Sequence, residues 1–398
     1  MALVLTPEEA AFRDEVRAFL DEKLTDDLRT AGRFCSGIYC DRPVAQRWLS
    51  ILNDRGWAVP NWPREHGGTG WSARRHYIFA SELVAADAPP VTPNATGMLG
   101  PVLMAFGTDA QKAKYLPAIP TGEDWWAQGY SEPGAGSDLA SLQCRAVRDG
   151  DDYVIDGAKI WTSHAQWSNR IFCLVRTRFE GKAQAGISFL IFEMDLPGIT
   201  IRPIITLAGD HEVNAVFFDA VRVPASSLVG QENDGWTIAK YLLKHERSGA
   251  YGPSLRRQVR RLRAMIAARD ADGDPSRQID LRRDLTSAEM SLDALEATEQ
   301  RILSSLASGQ PPGPEGSMMK VMGTELKQRL DEIAVAIAGP YAAPDQSAAI
   351  HALDANAAIG PADAMTAMSR YLNNRAASIY AGANEVQRNI IAGQLLKV

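Results

Sequence analysis

The hydrophobic pattern predicts an α+β chain of several domains: helices first, then a small β-barrel or sandwich, then a helical bundle. Two changes of period carry this reading. Before about residue 125 apolar residues recur at helical spacing, from there to about residue 234 they come in short β-branched and aromatic runs, and from Trp236 the helical spacing returns. We therefore expect an N-terminal helical domain over 1–124, a central β domain over 125–234 and a C-terminal bundle over 235–398.

The first helix is announced by Thr6-Pro7-Glu8-Glu9, a hydroxyl cap, a proline at the first helical position and a glutamate three residues after the cap. Phe12, Val16, Phe19 and Leu20 then share one face. After a loop over Asn61–Gly70, helical patterns resume through Ile78–Ala85 and Pro101–Phe106. Tyr153–Gly157, Ile171–Val175, Ile187–Phe192 and Ala215–Phe218 read as strands separated by Gly, Asp and Pro. In the last part, breaks at Asp270–Pro275 and Gln310–Pro314 cut the chain into long helices of the kind that pack antiparallel.

A net charge of -6, with 45% apolar and 23% charged residues, fits a globular chain and offers no basic patch for nucleic acid. No apolar run reaches membrane-spanning length, so the cytoplasm is the expected compartment. The four cysteines, Cys35, Cys40, Cys144 and Cys173, and the six histidines lack metal-site spacing; free thiols are expected.

Tyr130-Ser131-Glu132-Pro133-Gly134-Ala135-Gly136-Ser137-Asp138 combines two glycines and a proline with hydroxyls. Such a loop lets backbone approach a flat or phosphorylated ligand, and a plain turn between strands explains the composition as well. Lys159-Ile160-Trp161-Thr162-Ser163 sets an indole beside two hydroxyls, suited to stacking on an aromatic ring while donating to its heteroatoms, or to core plus turn.

Taken in order with Asn214–Pro224, Gly235-Trp236, the Gly67-Gly68-Thr69-Gly70 loop and Ile379–Arg388, these motifs resemble the acyl-CoA dehydrogenase family over nearly the whole chain. The resemblance implies that family's fold, with four helices in the C-terminal bundle, and FAD as cofactor. It implies that the loop from Gln128 through Tyr130, Ser131 and Gly136 to Ser137 contacts FAD, with Ser137 between the flavin pyrophosphate and the CoA of the substrate. Trp161, Thr162 and Ser163 would cover one flavin face and donate toward N5, and Ala383 to Glu385 would close on the cofactor.

Many members carry their catalytic base directly after the tyrosine that matches Tyr380; here that residue is Ala381. The backbone of Ala381 and Gly382 would still help hold the thioester oxygen. A subset of the family, of isovaleryl and steroid type, carries the base on a helix in a Glu-Arg pair like Glu246-Arg247. Ala239, Leu242, Leu243, Glu246 and Ala250 fall on one helical face, and an unpaired glutamate on an apolar stripe is costly unless it has a task. Glu246 is therefore the expected base and Arg247 a substrate or structural contact; an ion pair of Glu246 with Arg247 or Lys244 is the plain alternative.

Homotetrameric relatives complete each flavin site with an arginine before a Phe-Gly pair and a Gln-x-x-Gly-Gly segment from a neighbour. Neither stands here: the matching regions read Pro275–Leu281 and Ala336–Tyr341. The pattern resembles the larger, flavin- and base-bearing subunit of heteromeric bacterial enzymes, implying a second dehydrogenase-like chain in an α2β2 assembly, or a homo-oligomer if Arg277 substitutes. An acyl-CoA substrate and an electron-transfer flavoprotein as acceptor are implied too. A flavin oxidase or monooxygenase, or a non-catalytic subunit, are the other readings of the scaffold.

Overall fold

Helix α1 (Pro7–Lys23) begins where its sequence signal lies, the Thr6 hydroxyl accepting from Glu9 N at 3.2 Å and the Glu9 carboxylate accepting from Thr6 N at 3.0 Å. The computed structural model describes residues 5–246, 250–269, 275–307 and 313–396, without the side chains of residues 245, 246, 275, 306 and 307. Phe12, Val16, Phe19 and Leu20 bury the expected face of α1 against Trp48 and Leu52 of α3 (Arg42–Asp54) and Phe79 of α4 (Ala73–Ala85). Between α1 and α3 lies α2 (Asp26–Phe34). A π-helical turn, Asn94–Leu99, runs straight into α5 (Gly100–Phe106), followed by α6 (Asp109–Tyr115). Gly100 is required at that junction, since a Cβ there would stand 2.2 Å from the Trp62 ring.

Eight strands follow: β1 (Trp126–Gly129), β2 (Arg145–Asp149), β3 (Asp152–Ser163), β4 (Arg170–Arg176), β5 (Ile187–Glu193), β6 (Ile199–Ile204), β7 (Val213–Pro224) and β8 (Leu228–Val229). Their order is β6-β7-β3-β2-β4-β5-β8, with β1 parallel beside β4. Strands β2 and β4 meet only at Arg145 and Arg176, so the sheet folds at this seam. Its halves close over one core in which Ile155, Val216 and Val221 face Ile171, Cys173 and Leu190. The alternate residues of β4 and β5, Phe172, Leu174, Phe189 and Ile191, pack outward on Leu99, Val102 and Leu103. Burial on both faces is why these strands read as unbroken apolar runs. The four strands that the pattern did not reveal are short (β1, β8) or solvent-facing with charges (β2, β6).

The chain then forms α7 (Gly235–Glu246), α8 (Gly252–Ala268), α9 (Pro275–Ala307) and α10 (Glu315–Ala338), and later the shorter α11 (Ser347–His351), α12 (Ala367–Asn373) and α13 (Asn384–Leu396). Leu255 and Leu262 of α8, Leu285 and Leu292 of α9, and Leu330 and Ile337 of α10 share a core, with α12 and α13 packed on α10. Helix α7 instead buries Ile238, Ala239 and Leu242 against the β domain and α5. No helix among the described residues is long and apolar enough to cross a membrane.

Candidate active site

Strand β1 delivers the glycine-rich loop. A Cβ on Gly129 would stand 2.9 Å from Cys173 Sγ, so only glycine lets β1 lie this close to β4. Beyond Tyr130 and Ser131, Glu132 and Ala135 exchange backbone hydrogen bonds of 2.9 and 3.0 Å and close a turn with Pro133 and Gly134 at its apex. The loop is fastened to β3 from below. Ile160 N donates to Ser131 O at 2.9 Å, and the Lys159 ammonium donates to Tyr130 O at 3.2 Å and to the Glu132 carboxylate at 2.7 Å. Glu132 also accepts from Gln143 N and Cys144 N. Lys159 and Glu132 are both buried, and two charges removed from water persist only when paired and hydrogen-bonded; here the ammonium has two acceptors and the carboxylate three donors.

The same strand carries Trp161. Between Lys159 and Thr162 the register with β7 slips, and at this bulge Trp161 adopts the left-handed conformation, φ 58°. For a bulky L-residue that costs about 1–2 kcal/mol, and the indole gains little packing in return, being 58% exposed. Strain combined with exposure marks a surface held ready for something else. Thr162 beside it is fully buried, with no partner for its hydroxyl among the described residues. Ser163 is half-buried at the end of β3. His164 follows, also left-handed, its ring enclosed by Trp125, Trp167 and Tyr39, and burial pushes its pKa down to about 4. On the loop opposite, a Cβ on Gly134 or Gly136 would meet nothing within 4 Å, so these glycines leave room beside the exposed Ser137. Gln128 is half-buried on β1.

The C-terminal loop is built differently. Ala381 and Gly382 are both left-handed, with φ of 54° and 87°, and the Ala381 amide has no hydrogen-bond partner among the described residues. Buried side chains fix the loop from α10 and α13: Gln387 donates to Gly382 O, Ser317 donates to Gln387, and the Lys320 ammonium donates to Ala377 O at 3.1 Å and Asn384 Oδ1 at 2.9 Å. Ala383 is buried and Glu385 exposed at the start of α13. Burial raises the Tyr380 phenol well above its usual range. The two regions meet at Glu212, whose carbonyl accepts from His164 N at 3.0 Å and whose carboxylate accepts from Ile38 N, Tyr39 N and Asn373.

The described part of helix α7 runs to Glu246. The Glu246 side chain and the whole of Arg247 lie outside the described residues. Leu242 is buried and Leu243 half-buried, but Ala250 is exposed and outside both helices, so it does not share their face. Gly252-Pro253 opens a new helix there, with proline in its first turn. The buried Glu299 of α9 accepts from Tyr251 N at 2.6 Å, Gly252 N at 3.0 Å and the Tyr77 hydroxyl, capping that new start. No role for Glu132, Lys159, Lys320, Gln387 or Glu299 was legible in the sequence. A lysine inside an apolar strand and another on the inward face of α10 were the available signals for two of them.

The acyl-CoA dehydrogenase domain models match this chain in order: the N-terminal domain over residues 6–123, the middle domain over 127–221 and the C-terminal domain over 233–396. Acyl-CoA dehydrogenase IpdE1 of Mycobacterium tuberculosis is 35% identical over 394 residues, covering 97% of this chain and 96% of that protein. Acyl-CoA dehydrogenase FadE26 of the same organism is 35% identical over 86% of this chain and 87% of its own. Among solved structures, the ChsE4-ChsE5 complex from Mycobacterium tuberculosis superposes with a TM-score of 0.82 at 32% identity, covering 100% of this chain and 99% of that one. The Tcur3481-Tcur3483 steroid ACAD gives 0.81 at 31%, with the same coverage. With three matching domain models and relatives alike over almost their whole length, the chain belongs to the acyl-CoA dehydrogenase family.

Proposed function

We propose that the chain catalyses FAD-dependent α,β-desaturation of an acyl-CoA thioester, with Glu246 as the base. The observation that carries this reading is the strained, exposed Trp161, held on the same staple as the glycine-rich loop, in a chain of a flavoprotein family. The residues present fit the cofactor. Trp161 offers an uncovered aromatic face, Ser131 and Ser163 offer part-exposed hydroxyls, and Gly134, Gly136 and Ser137 leave space for phosphates to approach backbone. Gln128, Tyr130, Thr162, Ala383 and Glu385 complete the proposed cofactor surroundings. FAD bound there supplies the acceptor for the hydride that leaves the substrate β-carbon.

Everything else falls to the chain itself. The Ala381 amide, without a hydrogen-bond partner among the described residues and presented by a left-handed backbone beside Gly382, is suited to hold the thioester oxygen as negative charge develops on it. Glu246, at the end of α7, takes the α-proton. A carboxylate screened from water has a proton affinity closer to the working pH, which suits that task. Arg247 contacts substrate, and Ser137 stands between CoA and the cofactor phosphates. We further propose cytoplasmic action, the domain division 1–124, 125–234 and 235–398, an electron-transfer flavoprotein as acceptor, and assembly with a second dehydrogenase-like chain as α2β2.

Glu246→Gln tests the base. The exchange keeps shape and removes proton affinity, so turnover falls by about 10³-fold or more while the flavin absorption spectrum persists. Undiminished turnover removes Glu246 from the chemistry.

A further inference from the structure

Between α2 and α3 the chain makes a turn with a free cysteine at each end, Cys35 and Cys40. Both close on the end of α2. The Ala31 carbonyl accepts from Cys35 N at 2.9 Å and from the Cys40 thiol at 3.7 Å, so the Cys40 sulfur stands against the first residue of the turn. The Cys35 thiol points back into the turn and donates to Gly37 O at 3.6 Å. Cys40 is buried in the N-terminal core, and Cys35, half-buried, packs on that same core from its edge. The Cys35 thiol beside it, together with burial, pushes the Cys40 thiol up and keeps its proton on. Among the described residues no three His, Cys, Asp or Glu side chains are grouped as for a metal ion, so thiol chemistry is the use open to the pair.

The two thiols differ as a reacting and a resolving cysteine differ. Solvent reaches Cys35, and the Arg370 guanidinium donates to its carbonyl at 3.1 and 3.0 Å, a fixed cation that favours the thiolate. The carboxylates near the turn are taken up by the turn's own donors: Glu212 accepts from Ile38 N and Tyr39 N, and Asp210 from the Ser36 hydroxyl at 2.9 Å. Cys144 and Cys173, by contrast, are 2% and 0% exposed inside the β domain. The turn is also a joint between domains. It holds Glu212, whose carbonyl accepts from His164 N directly after Trp161-Thr162-Ser163, and Asn373 of α12 donates to Ser36 O at 3.3 Å. A bond between the thiols takes the donor from Gly37 O and draws the ends of the turn together, which disturbs the grip of its amides on Glu212.

We propose that Cys35 and Cys40 are a peroxide-sensitive dithiol whose closure to a disulfide slows the enzyme through Glu212. Hydrogen peroxide is the oxidant. Its O–O bond breaks as the Cys35 sulfur takes one oxygen and becomes a sulfenic acid, and the other oxygen leaves as water with the thiol proton. The Cys40 sulfur then displaces the second oxygen, also as water, and the S–S bond forms. The two sulfurs together give up two electrons, and the peroxide accepts them. This step stands apart from the desaturation chemistry and does not depend on which residue is the base.

The test treats the holoenzyme, with whatever subunit co-purifies, with hydrogen peroxide. Both cysteines fall in one tryptic peptide, residues 34–47, because trypsin spares the Arg42-Pro43 bond. That peptide should lose two hydrogens and both alkylatable thiols, while Cys144 and Cys173 remain alkylatable after denaturation. Turnover should fall several-fold and return with dithiothreitol. Cys40→Ala should trap dimedone at Cys35, and Cys35→Ser should keep its turnover through the same treatment. The wild-type peptide map needs no variant, so a poorly folding one leaves the test intact. An unbridged 34–47 peptide, or oxidation of Cys144 or Cys173 first, overturns the pair. A bridged enzyme with full turnover overturns its coupling to the site, as does a loss of turnover that Cys35→Ser fails to prevent.

Discussion

The loop on the β domain and the loop from the C-terminal helices face one proposed site, yet they are held by different physics. Residues 130–138 hang on a buried ion pair, Lys159–Glu132, set into a hydrogen-bonded strand. Residues 379–384 are tied by neutral groups at Gln387, whose amide donates to Gly382 O and accepts from the Ser317 hydroxyl. The first arrangement fails badly when one partner is lost, because a bare charge stays behind. The second loses one hydrogen bond at a time. A site built this way keeps the cofactor side stiff and leaves the acyl side tolerant of change.

Lys159→Met is the largest blow to that contrast. It leaves the Glu132 carboxylate buried and unpaired, for about 3–5 kcal/mol of lost stability. Gln387→Leu, buried as deeply, strands the neutral Gly382 O and Ser317 hydroxyl and costs about 1–3 kcal/mol. Urea unfolding of both variants measures the difference, and FAD is lost from the first variant before the second. Equal destabilisation would show that the two loops are not held differently after all.

The sequence disclosed the order of helices and strands, and it disclosed both loops, because glycines, a proline and aromatic-hydroxyl triplets are local signals. What it withheld were pairings across the fold. Glu132 and Lys159 stand 27 residues apart and read separately as a loop acid and a strand base. The break before Gly252 was hidden because Ala239, Leu242, Leu243 and Ala250 keep helical spacing straight across it, while the carboxylate that caps the new start comes from α9. The strain at Trp161 is equally silent in sequence, since nothing local demands a positive φ there. The four undetected strands lacked the one signal available, an apolar run.

Acid response separates the regions further. His164, on the β-domain side, is held neutral by burial with a pKa of about 4 against an ordinary 6.5. On acidification the unfolded chain takes up this proton first, so stability falls as pH drops from about 6.5 toward 4 and levels off below. The contribution is at most roughly 3 kcal/mol. Urea midpoints for the wild type and His164→Gln, measured from pH 7 to pH 4, should converge as pH falls, because the variant lacks this proton uptake. Parallel curves would mean that His164 charges freely in the folded state.

The smallest effect probes what the regions share. Each presents one non-glycine residue in left-handed backbone toward the site, Trp161 with φ 58° and Ala381 with φ 54°. At an ordinary exposed position glycine is less stable than alanine, but here the order reverses, by about 1 kcal/mol in favour of glycine. Ala381→Gly should therefore raise the melting temperature slightly, and Trp161→Gly should be more stable than Trp161→Ala while both bind FAD less tightly than the wild type. If alanine is the more stable at 161, the backbone there relaxes once the indole is gone, and the strain belongs to the side chain's packing. If glycine wins at both positions, the strain is built into the two scaffolds, and each holds its ligand-facing residue at a cost that only a bound ligand offsets.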